Sequence, residues 1–332
     1  MGQNQWKDFL LKSSLPLEHA VASMFSKFNF YSWGEYAYER KDESGARKEF
    51  TVDLHCFKEY SGDHEWLATL DVLIECKYSS PGIQWVFAPH PEKSQVFSRA
   101  LGYHDGLTGK KVDIDHLNEF ERSFCECIRG IALQNNSFDP SVVSTAANQV
   151  RYALPHIVTH GVSSLLHNRH SDDLNIRFFA GIVVTNAPLY VMKDFSCLSN
   201  VECSEQIDDI CEKVDSLVVS RNVTPLNMTH LNQKVKEEII NNECFKNRCD
   251  IFGKTLHDEP GWYNWIPNCR SIENLVYESG DSIIVVSLDR LDKFIEHLDD
   301  KVEKTVATTK RIFDISLDAE NLIEKYTQLI FR

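Results

Sequence analysis

The stretch from Lys48 to Phe87, KEFTVDLHCFKEYSGDHEWLATLDVLIECKYSSPGIQWVF, constrains the fold more than any other part of the chain. It reads as two apolar strands joined by a polar turn. Val52, Leu54 and Cys56 alternate with Asp53 and His55, while Val72, Ile74 and Cys76 alternate with Leu73, Glu75 and Lys77. Successive side chains of a strand point to opposite faces, so Glu75 and Lys77 share one face. The bland reading is that the strand emerges into solvent after Ile74. Against it, a strand that is otherwise Leu, Val, Ile and Cys does not place two charges on one face for packing, because buried charges need partners. Asp71 has the same parity but lies about 13 Å from Glu75 along the strand, too far to share a ligand. Asp53, on the neighbouring strand, can stand beside Glu75. Two acids and a lysine at the lip of a sheet can hold a divalent metal and a phosphate, so Asp53, Glu75 and Lys77 form the candidate group.

Ahead of this stretch, Ser14-Leu15-Pro16-Leu17-Glu18 reads as a helix start, with Ser14 as cap and Pro16 in the first turn. Leu17, Val21, Met24, Phe25 and Phe28 recur at helical spacing. Glu18 is either a carboxylate favoured by the helix dipole or an extra acid reaching the site. Tyr31–Arg40 reads as a first strand. Residues 88–140 read as an insertion, with a helix around His116–Leu133. Val142–Leu166 is a long helical pattern, interrupted near Pro155, that carries Gln149 and Tyr152. Ile176–Asn186 reads as a buried strand paired with Leu189–Met192, and Val214–Val219 and Ser282–Ser287 read as further strands. Met228–Asn241 is helix-like, residues 242–275 are irregular and aromatic, and Leu288–Lys304 and Asp318–Phe331 are amphipathic helices. The order implies an α/β arrangement with a mixed sheet, divided into residues 1–225 and a C-terminal α/β extension, 226–332, packed on it.

Three features together resemble the PD-(D/E)xK nuclease superfamily, the restriction-endonuclease-like fold of Mrr-type enzymes and Holliday-junction resolvases. They are Pro16-Leu17-Glu18 opening a helix, Glu49-Phe50-Thr51-Val52-Asp53 in a strand, and Ile74-Glu75-Cys76-Lys77 ending the next. The resemblance covers residues 14–87 well and 140–192 loosely. It implies a mixed sheet flanked by helices and a metal-dependent nuclease acting on DNA. Asp53, Glu75 and the main-chain carbonyl of Cys76 would bind Mg²⁺ or Mn²⁺, with Glu18 added directly or through water. Lys77 would orient the attacking water. Gln149 and Tyr152 match the family's later Gln and aromatic residue in type, though they fall far beyond the usual place and at a different spacing. Trp85 and Lys93, with Arg99, Lys110 and Lys111, are candidates for lining a substrate groove, with Trp85 equally readable as core.

The formal charge of −14 runs against a nucleic-acid enzyme, since phosphate contacts need Lys and Arg. The excess is uneven. Residues 1–111 carry 13 Lys and Arg against 15 Asp and Glu, and the remainder carries 22 against 34. The acidic part then reads as a surface for a protein partner or a homodimer. The ten scattered cysteines read as reduced thiols, and the absence of a signal sequence or apolar span suggests a cytoplasmic protein away from membranes. Two other readings stay open: a nuclease-fold binding module that no longer cuts, and a nuclease directed at RNA or dependent on a larger complex.

Overall fold

The computed structural model describes residues 5–41, 44–60, 66–91, 100–104, 112, 115–134, 137–167, 174–193, 198–220 and 282–330. The chain runs through α1 (Gln5–Lys12), α2 (Leu15–Lys27), β1 (Tyr31–Ser32), β2 (Tyr36–Lys41), β3 (Arg47–Val52), β4 (Leu54–Tyr60) and β5 (Trp66–Lys77). It continues through β6 (Gln84–Pro89), β7 (Leu101–His104), α3 (Asp115–Arg122), β8 (Glu126–Gln134), β9 (Ser137–Asp139) and α4 (Val142–His167). Then come β10 (Leu174–Thr185), β11 (Leu189–Met192), α5 (Leu198–Cys203), α6 (Ile207–Ile210), β12 (Cys211–Val214) and β13 (Ser216–Ser220), followed by β14 (Ser282–Ser287) and α7 (Leu291–Ile330). The protein is α/β, with a large mixed sheet flanked by helices. Among the described residues the sheet order is β1-β4-β5-β10-β14-β13-β8-β6-β11-β12, with β7 beside β10 and β9 beside β8. β2 and β3 form a separate two-stranded ribbon.

Alternation along β5 and β10 builds two cores. Leu70, Val72, Ile74 and Cys76, with Phe178, Ile182 and Val184, face α2, α3 and α7. Leu73, Phe179 and Val183 face α4 and the β2–β3 ribbon. β5 lies between β4, antiparallel in the register Leu54↔Ile74, and β10, parallel in the register Val183↔Glu75. The close seating of α4 depends on Gly181, where an added Cβ would come within 2.7 Å of Leu154 and Val150 side-chain atoms.

Several expectations are corrected. Tyr31–Arg40 is split between β1 and β2 by a loop at Gly34, which has φ 76°. Ser14 occupies the cap position of α2 but is left-handed and makes no side-chain cap bond. The 88–140 segment is not a helical insertion: its helix ends at Arg122, and Glu126–Gln134 is a strand between β13 and β6. Gly130, a poor helix former, lets this strand approach so closely that a Cβ there would meet the Phe87 ring at 2.5 Å. α4 runs through Pro155 unbroken. The lost backbone bond, worth roughly 3 kcal/mol, is offset by burial of Val150, Ala153, Leu154, Ile157 and Val158 on the sheet. β11 pairs with β6 and β12 rather than with β10. The C-terminal helical pattern is one helix, since no Gly or Pro interrupts it.

The expected boundary near 225 falls in 221–281, outside the described residues, as do the 228–241 helix and the aromatic stretch 242–275. Ser282–Ser287, expected in an extension, is an inner strand between β10 and β13, hydrogen-bonded to both. Among the described residues no helix is long and apolar enough to cross a membrane.

Candidate functional site

The C-terminal end of β5 carries Glu75 and Lys77 on the face toward α4 and the ribbon. Glu75 is fully enclosed, at 0% exposure, while the Lys77 side chain is 28% exposed. Lys77 Nζ lies 2.5 Å from Glu75 Oε1. The pair is ionic, and Lys77 and the Asp53 backbone N–H both act on the Glu75 carboxylate from hydrogen-bonding range. Burial, reinforced by Asp53, pushes the Glu75 carboxyl up to about 7, while Lys77 pulls it back down.

Asp53 occupies the bend where the chain leaves the ribbon for the main sheet. Continuing the register Leu54↔Ile74 by one step puts it opposite Glu75. Its Oδ2 accepts a 2.7 Å hydrogen bond from the Cys76 N–H, which ties the bend to the end of β5. Burial raises the Asp53 carboxyl above its ordinary value, with the Cys76 N–H and Lys77 opposing and Glu35 adding to the rise. The Cys76 thiol points into the opposite core, where burial and then the charges of Asp53, Glu18 and Glu75 push its pKa up.

Glu18, half-buried in the first turn of α2, joins this field. Its carboxyl is raised by burial, then by Asp53 and Glu35, and lowered by Lys77. Glu35 is the residue that sequence reasoning missed. It follows Gly34 in the loop after β1, which is held to β4 by Trp33 N–H donating to the His55 carbonyl (2.9 Å) and His55 N–H donating to the Gly34 carbonyl (2.8 Å). A glycine within an apparent strand is the signal that would have found it, since such glycines mark bulges and breaks. Asp71 is engaged elsewhere, its Oδ1 2.8 Å from His55 Nε2.

The remaining sequence candidates divide. Gln149 and Tyr152 lie on α4 against the ribbon. The Tyr38 hydroxyl donates to the Gln149 carbonyl at 3.1 Å, and the Tyr152 ring lies 4.4 Å from the Arg40 guanidinium. Trp85 is not a groove residue: it is fully buried and tilted against Phe87 in the core. Lys93, Arg99, Lys110 and Lys111 lie outside the described residues.

A hard divalent cation takes oxygen donors, and the enclosed Glu75 carboxylate beside Asp53 is chemically suited to one. Among the described residues no group of three or more His, Cys, Asp or Glu is close enough to hold a metal ion. Glu35 raises the carboxyls of both Asp53 and Glu18, and Asp53 raises that of Glu18.

The fold and this acid–lysine cluster define an α/β protein with a charged side-chain cluster at the end of a central strand. No family model, no curated protein and no solved structure matches the chain.

Proposed function

We propose that this chain is a metal-dependent nuclease that hydrolyses phosphodiester bonds of DNA on a restriction-endonuclease-like core. The observation that carries the reading is Glu75: a carboxylate with no exposure, opposite a second half-buried acid, Asp53, and 2.5 Å from the Lys77 ammonium. Protein interiors rarely place two acids side by side around one lysine without a chemical use. The fold reading is supported by α2 ahead of antiparallel β4 and β5, with α4 and parallel β10 packed on β5.

Asp53, Glu75 and the main-chain carbonyl of Cys76 would hold Mg²⁺ or Mn²⁺, with Glu18 and Glu35 at the margin. A bound ion would supply a Lewis acid that polarises the scissile phosphate and lowers the pKa of a water. Lys77 supplies a fixed positive charge that orients the water and steadies negative charge developing on the phosphate. Asp53 keeps the end of β5 in place through Cys76, so the two acids and the lysine hold their spacing. Glu75, its carboxyl pushed up to about 7, would hold a cation in its ionised form.

The test is cleavage of plasmid DNA and of labelled RNA in Mg²⁺ and in Mn²⁺, comparing wild type with Lys77→Ala. The expected result is metal-dependent DNA cleavage that falls roughly 10³-fold in the variant. A folded wild-type protein that cuts DNA with neither ion would sink the proposal, and cleavage confined to RNA would move its substrate.

A further inference from the structure

The β2–β3 ribbon holds a cation that the acid–lysine chemistry does not use. Arg40 Cζ lies 3.9 Å from the centroid of the Phe50 ring on β3 and 4.4 Å from that of Tyr152 on α4, so the guanidinium is sandwiched between two aromatic faces. Its Nε is enclosed without a hydrogen-bond partner, while the guanidinium acts on the Tyr38 hydroxyl through a side-chain hydrogen bond. Among the described residues no carboxylate pairs with it. An arginine kept only to fasten the ribbon to α4 would contribute on the order of 1 kcal/mol of cation–π attraction, which an apolar side chain would match.

Arg40 and the acidic cluster share a neighbour: both Arg40 and Glu75 act on the phenol of Tyr38, two residues before Arg40 on the same face of the ribbon. A guanidinium held flat is pre-organised to grip two oxygens of one phosphate. We propose that Arg40, clamped by Phe50 and Tyr152, grips the phosphodiester backbone of the polynucleotide beside the acidic cluster. This rests on the nuclease reading for its substrate class. It also addresses the charge objection: a chain of net charge −14 can bind phosphate through one positioned guanidinium.

The experiment measures binding apart from cleavage, by fluorescence anisotropy of labelled DNA oligonucleotides across a salt series. It uses the full chain carrying Glu75→Gln, alone and combined with Arg40→Ala, Arg40→Lys or Tyr152→Leu. Arg40→Ala is expected to weaken binding about tenfold and to reduce the slope of log affinity against log salt by about one. Arg40→Lys and Tyr152→Leu keep the charge, so they should weaken binding while leaving the slope unchanged. A merely structural arginine would not produce that split. Should Arg40→Ala lose its fold by circular dichroism, the two charge-retaining variants decide alone, and wild-type affinity in both overturns the clamp. An unchanged slope in folded Arg40→Ala, or no binding even at low salt, also overturns it. Arg40-dependent binding of inorganic phosphate or pyrophosphate without oligonucleotide binding overturns the polymer assignment in favour of a small phosphate ligand. Arg40-dependent DNA binding by a wild-type protein that never cuts sinks the nuclease reading and leaves the clamp. Cleavage with unchanged KM in Arg40→Ala does the reverse.

Discussion

Lys58 faces a half-buried carboxylate, Asp299, and Lys77 a fully buried one, Glu75, and the two pairs are finished differently. Lys58 Nζ reaches both oxygens of Asp299 at 2.6 Å, and the Tyr60 hydroxyl donates to Oδ1 at 2.7 Å, with 15% and 16% exposure of the two ionic side chains. This group joins β4 to α7, and burial together with Asp299 pushes the Tyr60 phenol's pKa up. Glu75 is buried more deeply, and Lys77, which lies against it, also serves a second acid, Asp53, whose charge opposes the ionisation of Glu75. A buried carboxylate that shares a lysine with a like charge is costly to ionise. Such an excess of acid at the end of a central strand favours a cation.

The sharpest way to break this contrast is to neutralise each acid in turn. Glu75→Gln should reduce DNA cleavage roughly 10³-fold, about 4 kcal/mol of transition-state stabilisation, while the protein stays folded. Asp299→Asn should leave cleavage within a few-fold of wild type but lower stability by roughly 3 kcal/mol, since Lys58 is left buried without its counter-charge. Denaturant melts and cleavage rates on the same preparations check both. If Glu75→Gln destabilises as Asp299→Asn does, the two pairs are alike and Glu75 is ordinary framework.

A smaller effect sharpens the comparison through pH. Below the ordinary glutamate value of 4.5, Glu75 is protonated in folded and unfolded chains alike, so its burial is not penalised. Between there and about 7 only the unfolded chain ionises, so stability falls as pH rises, and above about 7 the full penalty stands. Glu75→Gln removes that penalty. It should raise stability by up to roughly 3 kcal/mol at mildly alkaline pH and by little near pH 4. Because a bound cation requires the ionised carboxylate, the rise in melting temperature caused by Mg²⁺ should grow as pH passes 7 in wild type and vanish in Glu75→Gln. Protection by Mg²⁺ that ignores pH would remove Glu75 from the ligand set.

Asp299 and Glu75 also show what a sequence discloses. Glu75 and Lys77 stood out because two charges interrupted an apolar strand with two-residue periodicity, and Asp53 followed from interstrand geometry. The alternation that exposed them also predicted β4, β5, β10 and β14 as elements. Their order in the sheet was not legible, because nothing local in Ser282–Ser287 says that it pairs with β10 and β13, long separated in sequence. The strand at Glu126–Gln134 was hidden by a helix running straight into it, and Gly130 reveals its purpose only once Phe87 is in place. Trp85 could be either core or groove until its neighbours were known. Arg40 was only the last residue of an expected strand, Tyr31–Arg40, and the packing of β3 and α4 brings the Phe50 and Tyr152 rings against it.

The smallest expected effect concerns the two outer acids, Glu18 and Glu35. Glu35 raises the carboxyls of both Asp53 and Glu18, so its charge resists ionisation of the inner site. Replacing it with Gln should lower the Asp53 pKa and move the acid limb of the cleavage–pH profile to lower pH, with at most about a tenfold change in rate at the optimum. Glu18→Gln, which removes a charge that is itself half-buried in the first turn of α2, should act in the same direction on cleavage. Profiles of kcat and of kcat/KM, recorded at saturating Mg²⁺, check the shift. An acid limb that stays fixed in both variants would make Glu18 and Glu35 bystanders, and would confine the working site to Asp53, Glu75 and Lys77.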